Sequence, residues 1–436
     1  MGPLDPFVIA MKQASIQVTR RGVMGQSNVL IIGGGAAGLT AAIASARLGA
    51  TVTVLERGTR VGKKVLESGN GRCNLTNLSV SPSAYNHPDF VEPVVAAYPY
   101  EAIHTFFSQL GLLTRADDEG RVYPLTNAAS SVLEVLRLEC AHLGVEVRCG
   151  FAVRHLSVKP GAAGFQVLSQ DGEELCARSV VVTTGGGGSL LGDVGHQLVE
   201  RVPVLGPIRT DTGLIRGLSG VRVRCKATLL AGVSDDGTGG DVVATERGEL
   251  LFRDYGVSGI MIFDLSRHLR DGCALSIDLF PDLSQSQLQT MLEQRRADLP
   301  WRSAETFFVG MLHDRVARAV LRAAGIDPNI SAEKLSGPRL AAVLKDLRLA
   351  VVGMADGRKA QVTRGGASVA QFDPDTMASR VVDGLFAAGE VLDIDGRSGG
   401  FNLHWAWASG IVAGQVAARV AGASAAWGDV DSGGSV

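Results

Sequence analysis

Four consecutive apolar residues, Val29 to Ile32, are followed by Gly33, Gly35 and Gly38 and then by small and aliphatic residues from Leu39 to Leu48. The first run is too short for a buried helix and reads as a strand hidden on both faces. Leu39–Leu48 reads as a helix stopped by Gly49, and Thr51–Leu55 as a second strand closed by Glu56. Strand, glycine turn, helix and strand in that order form the βαβ unit of a parallel sheet. Further on, the pattern predicts a helical region over 90–109, a polar stretch TRADDEGRVYPLTNAA, a helix over 130–142 ending at Gly144, and a strand over 145–148. Phe165–Leu168 and Cys176–Arg178 flank an Asp171-Gly172 hairpin turn. Ser179–Thr183 reads as another buried strand running into the glycines of 184–188.

From about Pro207 to Leu349 the pattern changes. Short alternating runs (VRVRCKATLL, ELLFRDYGVSGIMIFDLS, CALSIDLF) give way to amphipathic helices between 284 and 351, with no glycine-rich nucleotide turn. Near Val362 the first theme returns with a short strand, Leu385–Ala388, a Gly/Asp loop and a final helix, Asn402–Val420. The expected fold is therefore α/β, with a discontinuous Rossmann-like domain over 27–206 and 352–423. A strand-plus-helix domain over 207–351 is inserted in it. Residues 1–26 read as a disordered leader, with Met24 as an alternative start, and 424–436 as a loose tail. Trp405 and Trp407, two apart on the last helix, face different ways; one is expected in the core and the other against the inserted domain.

Length and composition narrow the function classes. A chain of 436 residues is long enough for two domains. Its 42 Lys+Arg against 44 Asp+Glu form no basic stripe, so a nucleic-acid partner is not expected. Six cysteines with no CxxC point to a reducing, cytoplasmic setting and away from a dithiol reductase. Mean hydropathy is +0.18, yet no apolar run is long enough for a bilayer span. The histidines form no HExxH and cluster with no cysteines, so no metal site is assigned. Nothing in the sequence sets an oligomeric state.

The chemistry starts at Gly33–Gly38, GGGAAG. In a GxGxxG turn the first glycine (Gly33) makes the tight turn, the second (Gly35) admits a pyrophosphate to the backbone, and the third (Gly38) packs helix on sheet. Glu56, 18 residues beyond Gly38, stands where an acidic residue binds a ribose, which favours FAD or NAD over a 2′-phosphorylated nucleotide. DGLFAAGEVLDIDGRSGGFN adds a second, distant hold. Its helix-start amides suit the pyrimidine carbonyl of a flavin, or they cap an ordinary core helix. Between these lies SGNGRCNLTN, Ser68 to Asn77. Gly69 and Gly71 let backbone come close, Arg72 offers a fork of donors, and the lone thiol of Cys73 has no resolving partner.

SGNGRCNLTN after GKK, ELLFRDYGVSG, VTRGGASV, DGLFAAGEVLDIDG and GGFNLHWAWASG occur in order between Asn28 and Val420. In these the chain resembles the YhiN-like, BaiN/RdsA-type flavoproteins. The resemblance implies non-covalent FAD in a two-dinucleotide-binding-domain-type fold with a middle domain closing over the flavin. Some members are linked to reduction of oxo or enoyl groups in steroid-like bile acid intermediates. It further implies pyrophosphate contacts from Gly33, Gly35, Ala36 and Ala37, adenosine ribose contacts from Glu56 and Arg57, and Lys64 near the phosphate or ribityl chain. Gly71, Arg72, Cys73 and Asn74 would lie beside the flavin, Phe151 and Ala152 at the adenine, and Thr184, Gly185 and Gly186 near the ribose. Gly389, Glu390, Asp395, Gly400, Phe401 and Asn402 would hold the isoalloxazine end.

The chain departs from the family at Arg253-Asp254, Ile260, Arg397-Ser398 and His404, where substrate would enter, so the substrate does not carry over. Candidates for proton transfer or substrate contact are His404, otherwise a core histidine; Arg397, otherwise a solvated loop residue; and Tyr255 and Arg253, otherwise a strand end and turn. The expectation is an FAD-dependent oxidoreductase acting on a small or steroid-like molecule between the domains, with NAD(P)H as a transient donor. Two alternatives are an FAD enzyme acting on a modified RNA nucleoside and a non-catalytic FAD-binding protein.

Overall fold

The computed structural model describes residues 27–159, 164–187, 189–234, 239–357 and 360–422. The expected leader and tail, and Gly188 of the predicted glycine turn, lie outside them. Strand β1 (Ser27–Ile32) pairs in parallel with β2 (Val52–Glu56), and β2 with β6 (Glu146–Cys149). On its other side β1 pairs with β9 (Glu174–Val182), giving a seven-stranded sheet in the order β6-β2-β1-β9-β8-β7, with β18 (Leu385–Ala387) also on β9. The hairpin over 165–178 and the buried strand over 179–183 thus share one strand. The first half of β9 pairs antiparallel with β8 (Phe165–Ser169), itself paired with β7 (Val153–Val158), and its second half is parallel to β1.

Helix α1 (Ala36–Arg47) is buried at every position from Ala37 to Ser45, which explains its small residues. It packs on the last helix of the chain. A Cβ at Gly410 would strike the backbone of Ala37, one at Gly414 the backbone of Ala41, and Ser45 Oγ donates to Gly414 O at 2.8 Å.

Three predicted elements differ. The helical region over 90–109 is two helices, α2 (Pro88–Ala97) and α3 (Tyr100–Gln109), because Pro99 cannot continue the first. The polar stretch after them forms the hairpin β4 (Thr114–Ala116) and β5 (Arg121–Pro124), joined to β3 (Thr76–Asn77) in the sheet β3-β5-β4. Its outer face carries charge, which hid the strands. Helix α4 (Ala129–His142) runs as expected.

Beyond the ribbon of β10 (Leu198–Val204) and β17 (Val362–Ala367), strands β11 (Ile208–Thr210), β12 (Arg222–Ala231), β13 (Asp241–Arg253), β14 (Gly256–Ser258), β15 (Ala274–Asp278) and β16 (Leu347–Met354) close into a barrel, in the order β11-β14-β13-β12-β15-β16. Here 347–351, read with the amphipathic helices, is the strand that closes it. Helix α5 (Ile260–Ser266) follows β14, and α6 (Gln285–Asp298), α7 (Asp314–Ala323) and α8 (Gly337–Lys345) lie between β15 and β16. The barrel and its helices have an apolar core of their own, around Phe252, Leu275, Phe307 and Leu340. The final helix, α9 (Phe401–Val420), buries both tryptophans: Trp407 Nε1 donates to Leu75 O at 2.9 Å and Trp405 Nε1 to Gly389 O at 3.3 Å. Both bonds end in the Rossmann-like part, not in the barrel. No helix among the described residues is long and apolar enough to cross a membrane.

Gly414→Ala should lower the thermal midpoint, because the clash with Ala41 outweighs the gain in helix propensity; a cost of about 1–3 kcal/mol is expected. An unchanged or raised midpoint in a calorimetric scan would mean that α1 and α9 are not held this closely.

Candidate cofactor and active site

The glycine turn has the shape a pyrophosphate needs. Gly33 has φ +114°, and a Cβ there would lie 2.5 Å from Thr183 O; a Cβ on Gly38 would collide with Gly33 O. At Gly35 a Cβ would meet nothing within 4 Å. Gly35 is also the N-cap of α1 and brings no capping side chain, so the first amides of α1, from Ala36 and Ala37 onward, face open space. Glu56 closes β2 with Oε2 accepting from Gly34 N at 2.9 Å and Oε1 from Gly58 N at 2.7 Å. A carboxylate has about four acceptor sites, so these two bonds leave capacity for ribose hydroxyls.

A second group converges from three loops. Lys64 Nζ pairs with Glu390 Oε2 at 2.8 Å, and Thr363 N donates to Glu390 Oε1 at 2.8 Å. Gly185 and Gly186 face that pair, and the Arg57 guanidinium lies beside Gly187. Thr184 Oγ1 is buried here without a partner. Phe151 N donates to Glu56 O at 2.9 Å and Ala152 O accepts from Gln170 N at 2.8 Å, which ties that segment to the end of β2. The Phe151 ring itself is buried under the Arg148 guanidinium.

At the far end, Gly69, Asn70, Gly71 and Cys73 all have left-handed backbone, and this coils SGNGRCN tightly. Cys73 is fully buried, and burial pushes its thiol up to about 12, too high for a thiolate near neutral pH. Asn74 Oδ1 is buried without a partner and lies 2.9 Å from where a Cβ on Gly400 would be. Gly400, φ +105°, starts α9, again without a capping side chain. Two orphaned oxygens and two uncapped helix starts along one path are what a dinucleotide with a ring at its end would satisfy. Gly389 N is held by Ser409 Oγ at 3.0 Å, and Phe401 is buried edge-on to Tyr85.

Several predicted site residues have other work. Asp395 is fully buried and its carboxylate is taken by two arginines, Arg267 Nε at 3.0 Å and Arg364 Nε at 2.8 Å, so it is not a cofactor contact. The Asn402 side chain turns back to brace its own loop, accepting from Gly396 N and donating to Gly396 O and Arg397 O. His404 is fully buried with one ring nitrogen 2.8 Å from Thr76 Oγ1 and the other 2.9 Å from Tyr98 O. It is a core histidine with neither nitrogen free for a substrate. Arg253 and Tyr255 bracket the β13–β14 turn, seven or more residues along from Glu246 on β13. That is roughly 23 Å along the strand at strand rise, away from Arg397's partner.

The residues the sequence did not single out lie at the seam between barrel and sheet. Arg397 Nη2 donates to Glu246 Oε2 at 2.7 Å, and Ser398 N to Asp264 Oδ1 at 2.6 Å. Burial pushes the Asp264 carboxyl up to about 6, while the Ser398 amide and Arg397 pull the other way. They edge a cleft of about 630 Å³ lined also by Tyr85, His87 and Arg267. Only the acidic residues on β13 and α5 hinted at it, and their partners are more than a hundred residues away. Among the described residues no group of His, Cys, Asp or Glu is placed to hold a metal ion.

Residues 27–416 match the family described as HI0933-like protein Rossmann domain. A 3-dehydro-bile acid delta(4,6)-reductase of Clostridium scindens is 34% identical over 413 residues, covering 89% of this chain and 98% of the relative. Ribosomal RNA dihydrouridine synthases of Escherichia coli and Haemophilus influenzae are 30% and 28% identical, each covering 88% of this chain and 96% of the relative.

Burial holds the His404 imidazole down at about 4, against about 6.5 in an unfolded chain. As pH falls from about 6.5 to 4 the unfolded chain takes up a proton that the folded one refuses. Stability is therefore lost across that window, by on the order of 3 kcal/mol at its lower end. In urea titrations between pH 7 and 4.5, His404→Gln should lose this part of the acid dependence. Identical pH profiles for the two proteins would refute the assignment.

Proposed function

Because the chain belongs to the HI0933-like Rossmann-domain family and is an FAD-dependent oxidoreductase, we propose that it reduces a carbon–carbon double bond conjugated to a carbonyl in a small or steroid-like acceptor, with NAD(P)H as the transient donor. The observation that carries this reading is the cradle of open glycines and unpartnered oxygens assembled from four distant segments. The names of the relatives support it: a 3-oxo-4,6-diene and a uracil ring both present a double bond conjugated to a carbonyl.

FAD, when bound, supplies the two-electron exchange between donor and acceptor. The chain's own groups do the holding. The amides of Gly35, Ala36 and Ala37 would hold the pyrophosphate, with Lys64 and Arg57 adding positive charge, and Glu56 would accept from the ribose. Thr184 Oγ1 would supply a hydroxyl on the ribose side. Asn74 Oδ1 would accept an N–H, and the uncapped start of α9 would offer amides to the pyrimidine carbonyl. The barrel is seated on loop 395–398 through Glu246 and Asp264.

A second reading, reduction of a uridine in RNA, is favoured by the two dihydrouridine synthases among the relatives. The balanced charge of the chain works against it.

Two experiments test the proposal. Gly35→Val has room in the apo-protein, so the variant should fold yet lose the absorbance near 450 nm, about where oxidised flavins absorb. A yellow Gly35→Val protein would move the pyrophosphate elsewhere. Anaerobic mixing of the wild type with NADH or NADPH should bleach the flavin, and a 3-oxo-4,6-diene steroid acid should restore it. No bleaching by either nucleotide sinks the donor. Bleaching without reoxidation by the steroid sinks the small-molecule acceptor, and reoxidation by unmodified ribosomal RNA instead establishes the second reading.

A further inference from the structure

The outer face of the sheet β3-β5-β4 carries a surface at the edge of the dinucleotide cradle. Register places Arg115 opposite Tyr123, and Leu125 N donates to Leu113 O at 2.7 Å, so these four side chains share a face. Asn77 and Arg121 continue it on the same side. The face touches the start of α9 directly: Asn77 Nδ2 donates to Gly399 O at 3.0 Å, and Arg121 packs beside Gly399. It also meets the SGNGRCN turn, because the Arg72 guanidinium lies 5.0 Å from the centroid of the Tyr123 ring. Arg115 covers the same ring from 6.0 Å.

Two properties of this face go beyond its contacts within the fold. Leu113 and Leu125 are 69% and 56% exposed side by side. Arg72 and Arg115, alone among the arginines of this face, have no carboxylate partner among the described residues; their hydrogen bonds go to Gly69 O and Asn127 Oδ1. Arg121, by contrast, is neutralised by Asp117 and Glu119. An exposed apolar pair next to two unpaired guanidiniums, at the edge of the cofactor turn, complements a molecule with an apolar body and an anionic group.

We propose that this face binds the acceptor, an amphipathic organic acid, with its hydrocarbon body on Leu113 and Leu125 and its carboxylate at Arg115 and Arg72. This rests on the small-molecule reading above. RNA fits the face less well, since Tyr123 is only 5% exposed and offers no free ring for a base, and the next cation along is already paired.

The test uses the FAD-loaded full chain. Cholate, which presents the carboxylate without the reactive diene, should bind the wild type. Arg115→Glu, which removes the contact and adds repulsion, should weaken that binding at least about fivefold, and Arg115→Lys should recover most of it. With a 3-oxo-4,6-diene bile acid as acceptor, Arg115→Glu should raise KM by a similar factor and leave kcat unchanged, while the methyl ester should not distinguish the two proteins. Leu113→Ser, at an exposed position, should weaken acid and ester alike. Equal cholate affinity of wild type and Arg115→Glu, no cholate binding at all, or Arg115-dependent binding of an RNA transcript but not of cholate would each overturn the proposal. Arg115-dependent cholate binding without turnover of the diene would support the surface while refuting the reaction.

Discussion

The buried carboxylate of Asp395 is the constraint on which the arrangement of the two parts of the chain depends. It sits between Arg267, which follows the barrel's helix α5, and Arg364, from the ribbon strand β17. Arg267 also donates to Asp395 O, Asn86 brackets the same residue with a bond at each backbone group, and Arg364 Nη1 donates to Arg267 O. Such a cluster contributes little net stability over apolar packing, but removing one partner strands a buried charge at about 3–5 kcal/mol. Its value is therefore geometric. Barrel, ribbon and late loop dock together in one pose or not at all.

That pose is transmitted over very few residues. Arg397 and Ser398, held by Glu246 and Asp264 of the barrel, stand two and three positions beyond Asp395, and Gly400 opens α9 two positions later. Helix α9 lies against α1 at the contact distance that Gly410 and Gly414 allow, and α1 begins at the phosphate turn. The two ends of the cradle are thus fixed to one another by a glycine-lined helix pair, and the barrel is fixed to one end of it by charge.

What could be read from the sequence was whatever depends on near neighbours. The βαβ unit, its glycine turn, Glu56 and the last helix follow from runs of a few residues whose spacing carries the physics. The barrel did not, because closure is a matter of register between β11 and β16, with a run of helices placed between β15 and β16. The β4–β5 hairpin was hidden because its outward face is charged where a half-buried strand usually shows a plain polar side. His404, on the first turn of α9, looked available because the segments that bury it, at Thr76 and Tyr98, are some three hundred residues away. Asp395 looked like part of a cofactor loop for the same reason. Its arginines lie 128 and 31 positions away, and nothing local announces them.

The pairing state of the arginines then separates architecture from recognition. Arg397 replaces a neutral residue in the resemblance, which first suggests an anion site at the mouth of the cleft. Its guanidinium is instead 2.7 Å from Glu246 and 3.8 Å from Asp264, so the substituted charge is taken up by two acids of the barrel and belongs to the seating of the barrel. Arg267 and Arg364 are likewise consumed by Asp395. Arg253, a departure from the family pattern, is the last residue of β13. Among the described residues, positive charge left without a carboxylate beside the cofactor turn is found at Arg72 and Arg115, whose hydrogen bonds go to Gly69 O and Asn127 Oδ1. A substitution at either arginine would leave the charges that hold the two domains in register undisturbed, because neither takes part in the Asp395 or Arg397 ion pairs.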